Sequence, residues 1–213
     1  MRTFWRTAVA WALGIGLLVI GFHDAPAAQN RTILVFGDSL SAAYGLRPEQ
    51  GWVALLQRRL QTQGYGYHTV NASISGETTS GGLQRLPRAL QLHRPAIVLL
   101  ELGANDGLRG LPLATIRGNL AQLIELARNS GARVLLLGIR LPPNYGPRYG
   151  NEFTALYTQS AQQLQVPLVP FVLAGIALDP ELMQADGLHP NALGEPHVLD
   201  TVWPYLLPLL HKS

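Results

Sequence analysis

From Arg31 onward, short runs of branched apolar residues alternate with longer segments in which apolar positions recur every three or four residues. Nearly continuous apolar runs suit strands buried on both faces, whereas the three-to-four spacing draws one apolar stripe along a helix. Residues 33–36, 67–71, 97–102 and 134–139 are therefore predicted strands, with a weaker fifth at 167–170. Between them, Trp52, Leu55, Leu56 and Leu60 share one helix face, and Ile116, Leu120, Leu123, Ile124 and Ala127 share another after Pro112. Further helices are expected over 83–92, over 151–164 and after Pro190, the last broken at its far end by Pro204 and Pro208. Strands alternating with helices imply an α/β domain with a parallel sheet covered by helices. No repeat, low-complexity run or linker divides it.

The first 28 residues read differently. Arg2 and Arg6 precede an uncharged stretch over 7–22, followed by Ala25-Pro26-Ala27-Ala28, which has the small-residue character of a signal-peptidase site. This predicts an export signal at 1–28 and a mature domain at 29–213, delivered to the periplasm or secreted. The apolar run, about 16 residues, is shorter than the roughly 18 of a spanning helix, so no stable membrane anchor is expected after cleavage. An uncleaved anchor is the competing reading.

Composition narrows the chemistry. With 47% hydrophobic and 14% charged residues in 213, the chain carries enough apolar surface for one core. The formal charge of +3 is spread singly among acidic residues and includes Arg2 and Arg6, so no basic face for nucleic acid is expected. Cysteine is absent, which excludes disulfides, thiolate catalysis and cysteine-ligated metals. No histidine pair has the spacing of a zinc-binding helix, and neither metal nor cofactor is expected. The expected state is a monomer acting on small molecules.

In a parallel sheet, ligands gather beyond the carboxyl ends of the strands. Three polar clusters fall there, at Gly37-Asp38-Ser39, at 73–76 and at 103–106, and a fourth at 186–189 precedes the last helix. Acyl transfer needs a hydroxyl nucleophile, a base, a group that orients the base, and donors for the oxyanion. Ser39 follows a strand directly and suits the nucleophile. His189 suits the base, and Asp186, three residues earlier, can hold its Nδ1–H. The Ser39 N–H, the Gly76 N–H and the Asn105 carboxamide are the candidate oxyanion donors. Each feature alone is ordinary turn chemistry, and the case rests on the four occurring together.

Gly37-Asp38-Ser39-Leu40, Gly76, Gly103-Ala104-Asn105-Asp106 and Asp186-Gly187-Leu188-His189 resemble the four defining blocks of the SGNH/GDSL hydrolases. The longer stretches GDSLSAAYGL, NASISGETTSGG, ELGANDGLRG and DGLHPNA resemble the periplasmic arylesterase, acyl-CoA thioesterase I and lysophospholipase L1 branch of that family. The resemblance implies a flavodoxin-like three-layer sandwich, a five-stranded parallel sheet in the order 2-1-3-4-5 with helices on both faces. It further implies that Ser39, Gly76, Asn105 and His189 take the signature roles with Asp186 completing a triad, that no cofactor is needed, and that esters and thioesters are substrates. One departure is Gly194-Glu195-Pro196-His197, with His197 expected at the surface.

Other residues admit plainer readings. Leu108, Leu111, Leu141, Pro142, Pro143, Asn144 and Tyr145 fall in loops that should border the cleft and suit an acyl chain, or equally simple loop packing. Asp38 and Asp106 are expected to orient loops or cap helices. His23 should leave with the signal, and His68, His93 and His211 read as structural or exposed. Residues 75–82, rich in Gly, Ser and Thr, are expected to move. Two competing functions are a carbohydrate O-deacetylase or acyltransferase on the same fold, and a non-catalytic periplasmic lipid-binding protein.

Overall fold

A computed structural model describes residues 31–212, and the predicted export segment 1–28 lies outside them. Five strands, β1 (Arg31–Gly37), β2 (Tyr67–Asn71), β3 (Ile97–Glu101), β4 (Arg133–Leu137) and β5 (Leu168–Val169), pair in parallel in the order β2-β1-β3-β4-β5. The helices are α1 (Trp52–Thr62), α2 (Thr79–His93), α3 (Ala104–Leu108), α4 (Leu113–Asn129), α5 (Pro147–Leu164) and α6 (Glu195–Leu206). Sheet order and layering are those expected for the flavodoxin-like fold.

Alternation along each strand splits the core into two. Ile33 and Val35 point to the face covered by α1 and α6, while Leu34 and Phe36 point to the face covered by α2, α4 and α5. All four are fully buried, each contributing on the order of 1.5–3 kcal/mol of burial free energy. The chain leaves β1 to build α1 on one face and reaches β3 through α2 on the other. That reversal opens a crevice at the carboxyl ends of β1 and β3.

Several elements depart from expectation. Helix α2 starts four residues before Leu83, because the Thr78 side chain accepts the Gly81 N–H at 3.1 Å and caps it. The back half of the supposedly mobile segment 75–82 is thus the first turn of a helix. Residues 104–108, expected as loop, form α3, and α5 begins at Pro147, whose fixed φ suits a first helical position. Helix α6 runs through Pro204 to Leu206 and tightens into a 3-10 turn over Leu207–Leu209 that contains Pro208. It also starts later than expected, at Glu195 rather than just after Pro190.

Glu195 explains that start. Its buried carboxylate accepts the Trp52 N–H at 2.6 Å, tying the first turn of α6 to the first residue of α1. Burial pushes its pKa up to about 7, against the opposing effect of the Trp52 N–H bond. The folded protein therefore holds a proton that the unfolded chain releases near the ordinary carboxylate pKa. This contribution to stability is complete below that pKa and is lost as pH rises through about 7. Glu195→Gln keeps an acceptor for Trp52 without the titration. In thermal unfolding it should melt above the wild type at pH 8.5 and level with it at about pH 4; a difference equal at both pH values would show that ionisation of Glu195 is not the cause.

Candidate active site

The end of β1 passes within touching distance of β3. A Cβ on Gly37 would sit 2.6 Å from Glu101 Oε2, so only glycine fits there. The chain then coils, with Ala42 N–H donating to Asp38 O and Tyr44 N–H to Ser39 O at 3.0 and 3.3 Å. This turn holds Ser39 at the sheet's edge, half-buried, with a backbone N–H that meets no acceptor among the described residues.

The opposing wall is a loop closed by an antiparallel bridge between Met183 and Pro190 and by the Gln184 N–H donating to His189 O at 2.7 Å. Inside it, Asp186 Oδ1 accepts the N–H groups of Leu188 and His189, and Asp186 Oδ2 lies 2.7 Å from His189 Nδ1. An ionised carboxylate only accepts, so Nδ1 carries the proton and Nε2 is left with its lone pair. That Nε2 lies 2.8 Å from Ser39 Oγ. Burial works against the Asp186 charge, but hydrogen bonds from Leu188 N–H and from His189, together with the charge of a protonated His189, hold its carboxyl below the usual range.

Gln184 joins the two walls. Its Nε2 donates to Tyr44 O at 2.7 Å and to Pro190 O at 2.8 Å, and the Tyr44 ring packs 4.6 Å from the His189 ring. Sequence reasoning singled out neither: Tyr44 lies within the stretch GDSLSAAYGL but carries no reactive group, and Gln184 lies outside every motif.

On the third side, Gly103 adopts φ +121°, and a Cβ there would collide with the Tyr157 hydroxyl. The chain turns from it straight into α3, which places Asn105 in the first helical turn. Asn105 Nδ2 donates to Asp38 Oδ2 at 3.1 Å and to Glu77 O at 2.9 Å. Gly76, next to Glu77, has φ +81° and an N–H with no acceptor among the described residues. Asp106 fastens α3 to α2 by accepting the N–H and the hydroxyl of Thr79 at 2.9 and 2.6 Å.

Beneath Ser39 lies a buried acid pair. Asp38 Oδ1 accepts Leu40 N–H at 3.1 Å, while Glu101 Oε2 accepts Asp38 N–H at 3.2 Å and the Ser41 hydroxyl at 2.9 Å. Both carboxyls are fully buried, and Glu101 Oε1 has no hydrogen-bond partner among the described residues. Burial, opposed by hydrogen bonds from Leu40, Glu101 and Asn105, raises Asp38 to about 7. Burial and then the charge of Asp38 push Glu101 well above the carboxylate range. Near neutral pH the pair holds a proton. A glutamate in an otherwise apolar strand run was the sequence signal for it.

Ser39, Asn105 and His189 share a cavity of about 240 Å³ with Leu108, Leu141 and Pro142; Leu40, Ala104, Ile139, Leu173 and Leu188 complete its apolar lining, and Arg140 adds one cationic side chain. Leu111, Asn144 and Tyr145 lie outside that lining. Leu111 packs against the α2/α4/α5 core and accepts the Tyr149 hydroxyl, Asn144 sits in the 3-10 turn Pro143–Tyr145, and the Tyr145 hydroxyl donates to Leu108 O at 3.1 Å. Gly76 and Asp186 are not among the residues that line it. His197 is exposed, His68 bonds Thr32 and His211 bonds Arg133. Among the described residues no cluster of three or more His, Asp or Glu could hold a metal ion.

A serine hydroxyl on a histidine nitrogen, the other nitrogen on a carboxylate, and idle N–H donors beside them are parts suited to acyl transfer. The family model described as GDSL-like Lipase/Acylhydrolase matches residues 35–195. The chain belongs to this family. Among members of this lipase/acylhydrolase family, Esterase TesA of Pseudomonas aeruginosa is 55% identical over 183 residues, covering 86% of this chain and 91% of its own. Thioesterase 1/protease 1/lysophospholipase L1 of Escherichia coli K12 is 42% identical over 203 residues, covering 95% of each. The crystal structure of TesA superposes with a TM-score of 0.83 at 56% identity, covering 84% of this chain and all of that one.

The acid pair yields a stability test. Glu101→Ala strands the Asp38 N–H and the Ser41 hydroxyl and should cost roughly 1–3 kcal/mol per stranded donor, measured by urea unfolding. Glu101→Gln keeps an acceptor and should cost clearly less. Equal losses would mean that the carboxyl only fills space.

Proposed function

We propose that the protein is a serine esterase and thioesterase, acting on aryl and alkyl esters, acyl-CoA and lysophospholipids, with Ser39 as nucleophile, His189 as base and Asp186 as its orienting carboxylate. The observation that carries this reading is the unbroken chain Ser39 Oγ–His189–Asp186, with links of 2.8 and 2.7 Å. The substrate classes follow the names of the relatives. The apolar cavity beside Ser39, with Leu108, Leu141 and Pro142, favours an acyl chain over a sugar and so speaks against the deacetylase alternative.

In the first half-reaction Ser39 Oγ bonds to the carbonyl carbon while its proton passes to His189 Nε2. The oxyanion is taken by the idle N–H groups of Ser39 and Gly76 and by Asn105 Nδ2. Both Asn105 hydrogens are engaged at rest, so the oxyanion competes with Glu77 O for one of them. As the tetrahedral species collapses, the bond from carbon to the alcohol oxygen or thiol sulfur breaks, and His189 Nε2–H protonates the leaving group. Water then attacks the acyl-enzyme, gives its proton to His189, and the proton returns to Ser39 Oγ as the carboxylic acid departs. Asp186 stays ionised throughout and stabilises the imidazolium.

The same reading includes an exported, monomeric enzyme whose residues 1–28 are removed in transit to the periplasm, which N-terminal sequencing of periplasmic protein would test. For the chemistry, Ser39→Ala should lower p-nitrophenyl ester turnover by roughly 10⁴ to 10⁶ with circular dichroism unchanged. Asp186→Asn, which replaces an acceptor-only group, should lose about 10⁴. Turnover persisting in folded Ser39→Ala protein would remove Ser39 from the mechanism.

A further inference from the structure

An ester bound at Ser39 needs room in two directions besides the oxyanion, one for its acyl chain and one for its leaving group. Next to the cavity at Ser39 lies a second, larger groove of about 760 Å³, with Leu173 and Arg140 lining both. We propose that Arg140 and this groove form a leaving-group subsite that binds a phosphate carried by the departing alcohol or thiol. The inference rests on the esterase reading above and adds to it a preference for one class of leaving group.

Three observations carry it. Arg140 lies just past the carboxyl end of β4, where the crevice opens, and lines both cavities as well as a shallower one with Asn151 and Thr154. Its guanidinium carbon lies 5.0 Å from the centroid of the Phe171 ring, a cation–π contact that uses none of its N–H donors. Among the described residues it makes no ion pair and no side-chain hydrogen bond; Arg88, Arg94 and Arg117 are likewise without such partners, but of these four arginines only Arg140 lines the cavity at Ser39. Asp179, the carboxylate that lines the same groove, accepts the Glu181 N–H at 2.9 Å and does not pair with Arg140.

A planar, always-charged fork with its donors unused matches two phosphate oxygens at once. The rest of the groove, with Phe171, Ile176, Leu178 and Tyr205, is mostly apolar and offers no second cation, so one phosphate near the scissile bond fits better than a string of charges. A glycerophosphate leaving group and the phosphates of coenzyme A share this chemistry at different distances from the ester.

The test compares matched substrates with one acyl chain, a lysophosphatidylcholine against the monoacylglycerol and an acyl-CoA against the acyl-pantetheine. For Arg140→Gln, the ratio of kcat/KM for the phosphate-bearing member over its neutral partner should fall about tenfold in at least one pair, through KM, as expected for one lost charge-assisted contact. Arg140→Lys should recover part of that ratio, and the pair that responds identifies the source of the phosphate. If the wild type hydrolyses these substrates and both ratios are unchanged in Arg140→Gln, the subsite is overturned while the esterase reading stands. A wild type inactive on all four overturns both.

Discussion

The hydrogen bond between Ser39 and His189 spans 150 positions of chain, and nearly every feature around it keeps that span closed. At one end the nucleophile is fixed by the close approach of Gly37 to Glu101 and by a turn that coils directly off β1. At the other, the imidazole sits in a loop sealed by the Met183–Pro190 bridge, with Asp186 bonding both its backbone and its ring. The Gln184 side chain then donates to the carbonyls of Tyr44 and Pro190, so the two halves are bridged away from the reacting atoms as well as at them. Holding groups at bonding distance in advance removes from the chemical step the entropy that would otherwise oppose it.

The same region concentrates electrostatic cost. Asp38, Glu101 and Asp106 are buried together near the switch point of the sheet. Three ionised carboxylates at such depth would repel one another strongly, and the retained proton on the Asp38–Glu101 pair relieves this. In exchange, Asp38 orients Asn105, Glu101 anchors the Ser39 turn, and Asp106 locks α3 to α2. Buried polar groups of this kind specify one arrangement of loops, which an apolar core alone would leave loose. Glu195 does the same at the far helices, where it joins α1 to α6.

Strands β1, β3 and β4 were legible because buried strands read as nearly unbroken apolar runs, whereas β2, Tyr-His-Thr-Val-Asn with only Tyr67 buried, carries no such run; the two helices with clear apolar stripes were legible for the matching reason. Where no stripe exists the reading failed: the first turn of α2 contains Gly81 and Gly82 and is held by a threonine cap and by Asp106, neither visible as periodicity. Pro204 was taken for a breaker, yet α6 carries it in its last turn and ends two residues later at Leu206. At the site, the motif residues could be named because acyl transfer needs particular groups at strand exits. Tyr44 and Gln184 could not, since their roles are to touch other residues across the fold. Loop residues chosen for apolar character divided, Leu108, Leu141 and Pro142 facing the cavity while Leu111 turned into the core, because pockets and loop cores use the same side chains.

The central claim is that His189 activates Ser39, and covalent trapping measures it most directly. A p-nitrophenyl phosphonate should release one equivalent of nitrophenol and leave a single adduct on the peptide containing Ser39, and in folded His189→Ala protein the rate should fall by at least about 10³. An adduct on another residue, or labelling of Ser39 at an unchanged rate without His189, would contradict the account.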